Sequence, residues 1–159
     1  MQSQENCTCD PGFLFSDRAG PIADIPVEQY SFSSFYSGPG EVCINPRLDA
    51  SLNELWATSQ ANTAGQWVKV DLGYTTSVVG LATVAYSTGS AITSFTVETS
   101  LDDIVYTSVD GGHVFDRPQT ENPVINSSYF SGSILASYVP VKPNTFAGWP
   151  YLGFSTVLQ

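Results

Sequence analysis

Positive charge is scarce in this sequence. Five Lys plus Arg residues stand against fifteen Asp plus Glu, which gives a formal net charge of −10 over 159 residues. Nucleic-acid binding depends on cations that neutralise phosphates, so the composition argues against a nucleic-acid partner. The same shortage disfavours a polybasic attraction to anionic lipid. Insertion into a membrane is therefore not expected.

Long apolar runs are absent, and histidine is scarce. No stretch approaches the roughly 18 consecutive apolar residues of a membrane-spanning helix. The start, Met1 to Asn6, lacks the basic and apolar pattern of a signal peptide. His113 is the single histidine, and neither a thiol nor a serine elbow stands near it in sequence. We therefore predict that the protein is not an enzyme and that His113 is a surface residue.

Cysteine is sparse and odd in number. Cys7 and Cys9 are too close to bridge each other comfortably, so we expect one of them to pair with Cys43. The remaining thiol could join two copies into a homo-oligomer. Asn6-Cys7-Thr8 and Asn126-Ser127-Ser128 match the N-glycosylation pattern. Together these features favour a secreted, extracellular protein.

Strand-forming residues dominate what is present. In Gln66–Gly73, apolar Val68, Val70 and Leu72 alternate with Lys69 and Asp71, the period of a strand with one buried face. Similar patterns predict strands over 27–36, 77–84, 92–100, 134–141 and 151–158, and a hairpin of 104–109 with 113–115 around Asp110-Gly111-Gly112. No sustained helical period occurs.

The sequence thus predicts an all-β sandwich or barrel. We expect residues 1–12 to be an N-terminal tail and 13–159 to form one domain. The predicted core contains Trp67, Val70, Leu72, Leu81, Phe95, Val97 and Tyr138, and Trp56 is also expected inside.

The order of several short motifs resembles the discoidin family, the jelly-roll domain of coagulation-factor C domains, neuropilin b domains, slime-mould discoidins and related sugar-binding modules. The matching segments are Ile25-Pro26, Ser33 to Tyr36, Arg47-Leu48-Asp49 ahead of Trp56, Gln66 to Gly73, Ile92 to Phe95, Ser100 to Asp102, Asn122 to Val124, Ala136 to Val139 and Gly148 to Leu152. The resemblance implies a distorted β-barrel with projecting loops at one pole.

Three departures from the family pattern stand out. Ser137, Pro140 and Gly153 occupy positions where the family usually has arginines, the usual terminal cysteine is absent, and Val84-Ala85 stands where the family often has Gln-Gly. Losing buried arginines removes charge-assisted hydrogen bonds but also their desolvation cost, so the fold can survive. Because proline donates no ladder hydrogen bond, we expect an edge or a bulge at Pro140.

The resemblance also implies a calcium loop. In the sugar-binding branch an Asp stands seven positions before a Trp, as Asp49 does before Trp56, and Glu54 takes the place of the family's threonine. Calcium requires six or more hard oxygen ligands, which carboxylates and bent backbone can supply. Asp49 and Glu54 are therefore candidate ligands of a structural calcium ion. The alternative is that Asp49 caps a helical turn.

By position, the family's ligand-binding loops correspond here to 36–44, 57–62, 86–91 and 116–122. The candidate ligand-binding residues are Tyr36, Thr58, Asn62, Tyr86, Ser87, Thr88, Asp116 and Arg117. Tyrosine edges and short polar side chains suit sugar hydroxyls or a peptide terminus. For Arg117, the alternative reading is a solvated turn residue.

Three functions follow as hypotheses. The first is a non-catalytic extracellular recognition module that binds carbohydrate or an extracellular protein, as in a lectin or an adhesion protein. The second is membrane attachment through apolar loop residues, of which only Val42 and Ile44 are available, next to the unfavourable Glu41. The third is a structural role in an acidic extracellular matrix.

Overall fold

Antiparallel strands account for nearly all regular structure in the computed structural model, which describes residues 20–87, 89–118 and 124–159. The strands are β1 (Tyr30–Phe32), β2 (Ser37–Gly38), β3 (Glu41–Val42), β4 (Val68–Val84), β5 (Ala91–Thr99), β6 (Thr107–Ser108), β7 (Phe115–Asp116), β8 (Asn126–Ala147) and β9 (Gly153–Leu158). Single 3-10 turns span Val27–Gln29 and Val109–Gly111. Within these ranges no helix is long and apolar enough to cross a membrane.

One sheet runs through the order β1-β4-β8-β5-β6, with β9 pairing β4 and β7 pairing β5, while β2 and β3 form a separate hairpin. Strands β4 and β8 pair along two stretches, 68–71 with 138–141 and 76–83 with 126–136. The register shifts between Asp71 and Thr76, where Gly73 adopts φ +83°. A bulge with a positive-φ glycine bends a strand sharply, so both long strands turn a corner here.

The corner folds the sheet onto itself. Tyr30 lies on β1, which pairs the first half of β4, whereas Phe154 lies on β9, which pairs the second half. Their rings meet edge to face at 5.5 Å, and the Tyr30 hydroxyl donates to the Phe154 carbonyl at 2.7 Å. The two halves therefore face each other as layers, and the predicted all-β jelly-roll sandwich is confirmed.

The buried face of β4 carries Val68, Val70 and Leu72, as the alternation predicts. Leu81, Phe95, Val97 and Trp56 are also buried, with Trp56 and Phe95 fully excluded from solvent. Two predicted core residues are not: Trp67 and Tyr138 are only half-buried. Trp67 shares its strand face with Lys69 and Asp71, so the alternation itself places it on the outer face.

Other strand predictions need correction. The predicted strands around Trp67–Leu72 and 77–84 are one strand, β4, continued through the bulge. The predicted hairpin around Asp110 does not form, because β6 and β7 each pair with β5 rather than with each other. Of the predicted strand 27–36, only the three residues of β1 form a strand, and Val27–Gln29 form a 3-10 turn.

Pro140 lies in the middle of the sheet rather than at an edge. Strand β8 runs between β4 and β5, and Pro140 stands opposite Lys69. The ladder between β8 and β5 stops at Val97 and Val141 and returns only as a bridge between Ser100 and Tyr138. An interrupted ladder is what a residue without an N–H requires.

The burial difference between two aromatic residues can be tested. Phe95→Ala should lower the free energy of unfolding by about 3–5 kcal/mol, because it removes a fully buried ring from the core. Trp67→Ala should cost clearly less, because part of that ring is already in water. Urea denaturation of both variants measures the difference, and an equal loss would place Trp67 in the core after all.

Candidate functional site

Loops from distant parts of the sequence meet at one end of the sandwich. We call this the loop pole and define it as residues 36–44, 57–62, 86–91 and 147–151. The Tyr36 amide donates to the Ala57 carbonyl at 2.9 Å, and the Thr58 amide donates to the Pro150 carbonyl at 3.3 Å. Gly148, at φ +60°, packs so closely that an added Cβ would lie 1.8 Å from the Gly89 carbonyl oxygen. These backbone contacts join the loops into one unit.

Four aromatic side chains lie beneath these loops, and we call them the aromatic quartet: Tyr36, Tyr86, Trp149 and Tyr151. The Tyr36 and Trp149 rings meet edge to face at 5.3 Å, and the Tyr86 and Tyr151 rings lie 4.7 Å apart. The Trp149 indole N–H donates to the Thr58 carbonyl at 2.8 Å. Tyr36, Tyr86 and Trp149 remain partly exposed, so the quartet offers ring edges to a ligand.

A half-buried acceptor, the Glu41 carboxylate, connects the first loop to the quartet. The Tyr151 hydroxyl donates to Glu41 Oε1 at 3.1 Å, and the Cys43 thiol lies 3.7 Å from the same oxygen. Burial, together with the nearby Glu41 carboxylate, raises the pKa of Cys43 to about 11. Burial likewise raises the pKa of Tyr151. Cys43 is a free, fully buried thiol, so the predicted disulfide to Cys43 is wrong.

Some predicted ligand residues do come together at this end. Tyr36, Tyr86 and Ser87 are half-buried, and Asn62 is exposed on its loop. Ser87 pairs with Ser90 across a tight turn, and its hydroxyl accepts from the Gly89 amide. Asp116 is exposed at the end of β7. Thr88, Cys7, Cys9, the tail over 1–12 and most of the loop 116–122 lie outside the described residues.

Thr58 is a correction. It is fully buried, and its hydroxyl donates to the Gln60 carbonyl at 2.5 Å. Its own carbonyl accepts the Trp149 indole. Thr58 therefore positions the loop and the aromatic quartet rather than offering its hydroxyl to a ligand.

Arg117 is a second correction, since it is neither a solvated turn residue nor an exposed ligand contact. Its side chain is buried, and the guanidinium donates to the Thr83 hydroxyl at 3.1 Å and to the carbonyls of Pro118 and Val124. Burial on neutral acceptors lowers the pKa of Arg117. Arg117 therefore anchors the segment that follows β7 onto β4.

The predicted metal residues lie in different surroundings. Asp49 accepts two hydrogen bonds from Arg47, at 2.8 and 3.0 Å, and borders a cavity of about 210 Å³ with Asp24. Glu54 is exposed and borders a separate groove beside Glu41 and Asn53. Among the described residues no three His, Cys, Asp or Glu side chains cluster as metal ligands. The Arg47 guanidinium holds the pKa of Asp49 below its usual range.

That arrangement does not fit calcium as it stands. A calcium ion prefers several free oxygen ligands, whereas both Asp49 oxygens are engaged by a cation. Asp49 is therefore an ion-pair partner here, and an ion would have to displace Arg47.

Three of the four described cations form ion pairs. Arg47 contacts Asp24 and Asp49, Lys69 contacts Asp103 at 2.7 Å, and Lys142 contacts Glu98 at 3.0 Å. Arg117 is buried. In the described part of the chain, the loop pole thus has no exposed cation to receive an anionic group.

A rigid all-β scaffold that gathers several loops at one end defines a class of ligand-recognition modules. The F5/8 type C domain model matches residues 29–154, and the chain belongs to this discoidin family. Domains of this family are typically non-catalytic binding modules. No curated protein sequence is significantly similar to the chain.

Solved structures share the fold at low identity. Discoidin II from Dictyostelium discoideum is 18% identical, with a TM-score of 0.64, over 81% of this chain and 53% of that protein. The present chain thus spans about half the length of discoidin II. The AlyQ CBM32 module in complex with 4,5-unsaturated mannuronic acid is 21% identical (TM-score 0.63, 86% of this chain, 97% of the module). The family 32 module of Clostridium perfringens NanJ in complex with galactose is 18% identical (TM-score 0.60, 87% and 100%).

The buried thiol yields a prediction. In a Cys7→Ser/Cys9→Ser variant, Cys43 should resist alkylation by iodoacetamide at pH 8 and react once denaturant is added. A pKa of about 11 leaves only about one thiolate in a thousand at that pH, and burial blocks access as well. Mass spectrometry measures the modified fraction. Rapid labelling of the folded protein would contradict this placement.

Proposed function

We propose that this chain is a secreted, non-catalytic recognition module that binds carbohydrate through the loop pole. The observation that carries the proposal is the joining of the pole loops around the aromatic quartet. Partly exposed tyrosine and tryptophan edges, with Ser87 next to Tyr86 and Asn62 on the loop 57–62, offer apolar contact and hydrogen-bonding groups at one end of the sandwich. A sugar ring presents the same combination of C–H faces and hydroxyls.

The structural relatives support carbohydrate as the ligand class, since two of them are sugar complexes of the same fold. The charge at the loop pole also bears on which carbohydrates would bind there. With Glu41 in the pole and no exposed cation there among the described residues, an uncharged sugar is favoured over an acidic one. An extracellular protein that presents hydroxyl-rich or aromatic side chains remains the second candidate ligand.

The described loop residues do not favour membrane attachment. Val42 and Ile44 are exposed, but the neighbouring Glu41 and the net charge of −10 oppose an anionic bilayer. For a structural role in an acidic extracellular matrix, the described residues offer no specific binding site. Carbohydrate recognition at the loop pole is therefore the function we put forward.

A glycan array tests the loop pole directly. We expect the wild-type protein to bind a subset of neutral glycans and Gly148→Ala to lose that binding, because an added Cβ collides with the Gly89 carbonyl and displaces the loop 86–91. Gly111→Ala is the matched control. Gly111 has a similar positive φ of +66°, but a Cβ there meets nothing within 4 Å.

Both variants introduce alanine into a left-handed backbone, so they share that strain. Circular dichroism and melting curves should show both variants folded. Unchanged glycan binding by folded Gly148→Ala would reject the loop pole as the binding surface, and binding to no glycan at all would favour a protein ligand.

The sequence predicts calcium at Asp49 and Glu54, whereas the Arg47–Asp49 ion pair favours a loop without calcium, and melting curves decide between the two. Because Arg47 already engages Asp49, we expect Asp49→Ala to lower the melting temperature by the same small amount in calcium and in chelator. The loss of an exposed ion pair costs up to about 1 kcal/mol of unfolding free energy. An ion bound only by the folded state would instead add about 2.7 kcal/mol at a hundredfold excess over its dissociation constant. A calcium-dependent rise that Asp49→Ala abolishes would establish the metal site.

A further inference from the structure

A second groove crosses the outer face of the sheet, where the first half of β4 pairs with β8. It encloses about 300 Å³ and is lined by Trp67, Lys69, Glu98, Tyr106, Pro140 and Lys142. None of these residues belongs to the loop pole. We call it the lateral groove. The aromatic and proline rings give it apolar surface, and its charged residues give it donors and acceptors.

Trp67 has a free hydrogen-bond donor. The Trp56 indole N–H donates to the Ser34 carbonyl, and the Trp149 indole N–H donates to the Thr58 carbonyl, each at 2.8 Å. The Trp67 indole N–H has no acceptor among the described residues, and it is not among their buried unpaired atoms. Its ring is half-buried in the wall of the groove. Trp67 thus offers part of its ring surface, beside the Lys69 ammonium, and an open donor.

The charges of the groove balance. Lys69 pairs with Asp103 at 2.7 Å and lies within 6 Å of the Trp67 and Tyr138 ring centroids. The Tyr106 hydroxyl donates to the same Asp103 carboxylate. Lys142 pairs with Glu98 at 3.0 Å, with about half of the lysine side chain exposed. Two ammonium groups against two carboxylates leave no net local charge to attract an ion of either sign.

We propose that the lateral groove is a second ligand site and that it takes an uncharged pyranose ring. The apolar C–H face of the ring would lie against Trp67 and Pro140. Its hydroxyls would accept from the Trp67 indole and Lys142 and donate to Glu98. Because this inference uses no residue of the loop pole, it stands or falls independently of the proposed function.

The preference of the lateral groove for an uncharged ligand follows from its paired charges, and not from its aromatic residues alone. An acidic ligand would have to compete with Glu98 and Asp103 for the two lysines, inside a chain of net charge −10. A hydroxyl needs no such exchange, since it can add to the remaining donor and acceptor positions of a paired ammonium or carboxylate.

Indole N–H signals in a nitrogen-15-edited NMR spectrum test the proposal. The three tryptophans give separate reporters: Trp67 for the groove, Trp149 for the loop pole and buried Trp56 as an internal control. Trp67→Phe assigns the groove signal. The probes are the methyl glycosides of glucose, galactose, mannose and glucuronic acid, each added to about 50 mM, above the millimolar dissociation constant expected of so small a ligand.

We expect at least one neutral glycoside to shift the Trp67 signal in a saturable way, with the glucuronide weaker. Lys142→Ala should weaken that response about tenfold, because it removes a charged hydrogen-bond donor while its exposed position spares the fold. Gly148→Ala should leave the Trp67 response intact even where it abolishes that of Trp149. An unmoved Trp67 signal with every neutral glycoside, or a response to the glucuronide alone, would overturn the proposal.

Discussion

The bend shared by β4 and β8 is the constraint on which the rest of this structure depends. Each strand is long enough to serve both layers, and the register shift at Asp71–Thr76 turns them together. Burial of the two inner faces then holds the layers in contact. The ring contact and hydrogen bond between Tyr30 and Phe154 join one layer to the other. Because both strands travel down one layer and up the other, their ends and the loops beyond them return to a common pole. The site is a consequence of that topology.

A pole built in this way draws its order from contacts between loops. The loops carry little sheet of their own, yet backbone hydrogen bonds and the aromatic quartet tie each loop to another. Thr58 is an example: its carbonyl accepts a hydrogen bond from the Trp149 indole, and its hydroxyl donates one to the Gln60 carbonyl. Such an arrangement pre-organises the exposed edges, so a ligand that binds there pays little to order the protein.

The strand content could be predicted because period-2 alternation is a local property of the sequence, whereas the jelly-roll architecture was implied by the resemblance of the motif order to the discoidin family. Trp67 shows where that inference failed. Its apolar character suggested burial, although its parity with Lys69 and Asp71 already placed it outward. The sequence offered no signal for Arg117, whose acceptors include a threonine 34 positions away. Glu41 and Tyr151 likewise meet across 110 residues, so the quartet could be seen only once the chain had folded.

The placement of charge also bears on what such a module can recognise. Four described cations are either paired with carboxylates or buried on neutral acceptors, so the acidic surface remains uncompensated. The negative surface charge repels anionic ligands but adds no affinity for neutral ones. Specificity against anions then comes from repulsion, and not from attraction of the preferred ligand. If the proposed site binds a sugar, the binding energy would come from ring contacts and hydroxyl hydrogen bonds, and at a shallow surface these would give modest affinity for a single sugar. A module under that limit gains most by engaging several sugars of one glycan at once, because linked contacts multiply affinity without any stronger individual contact.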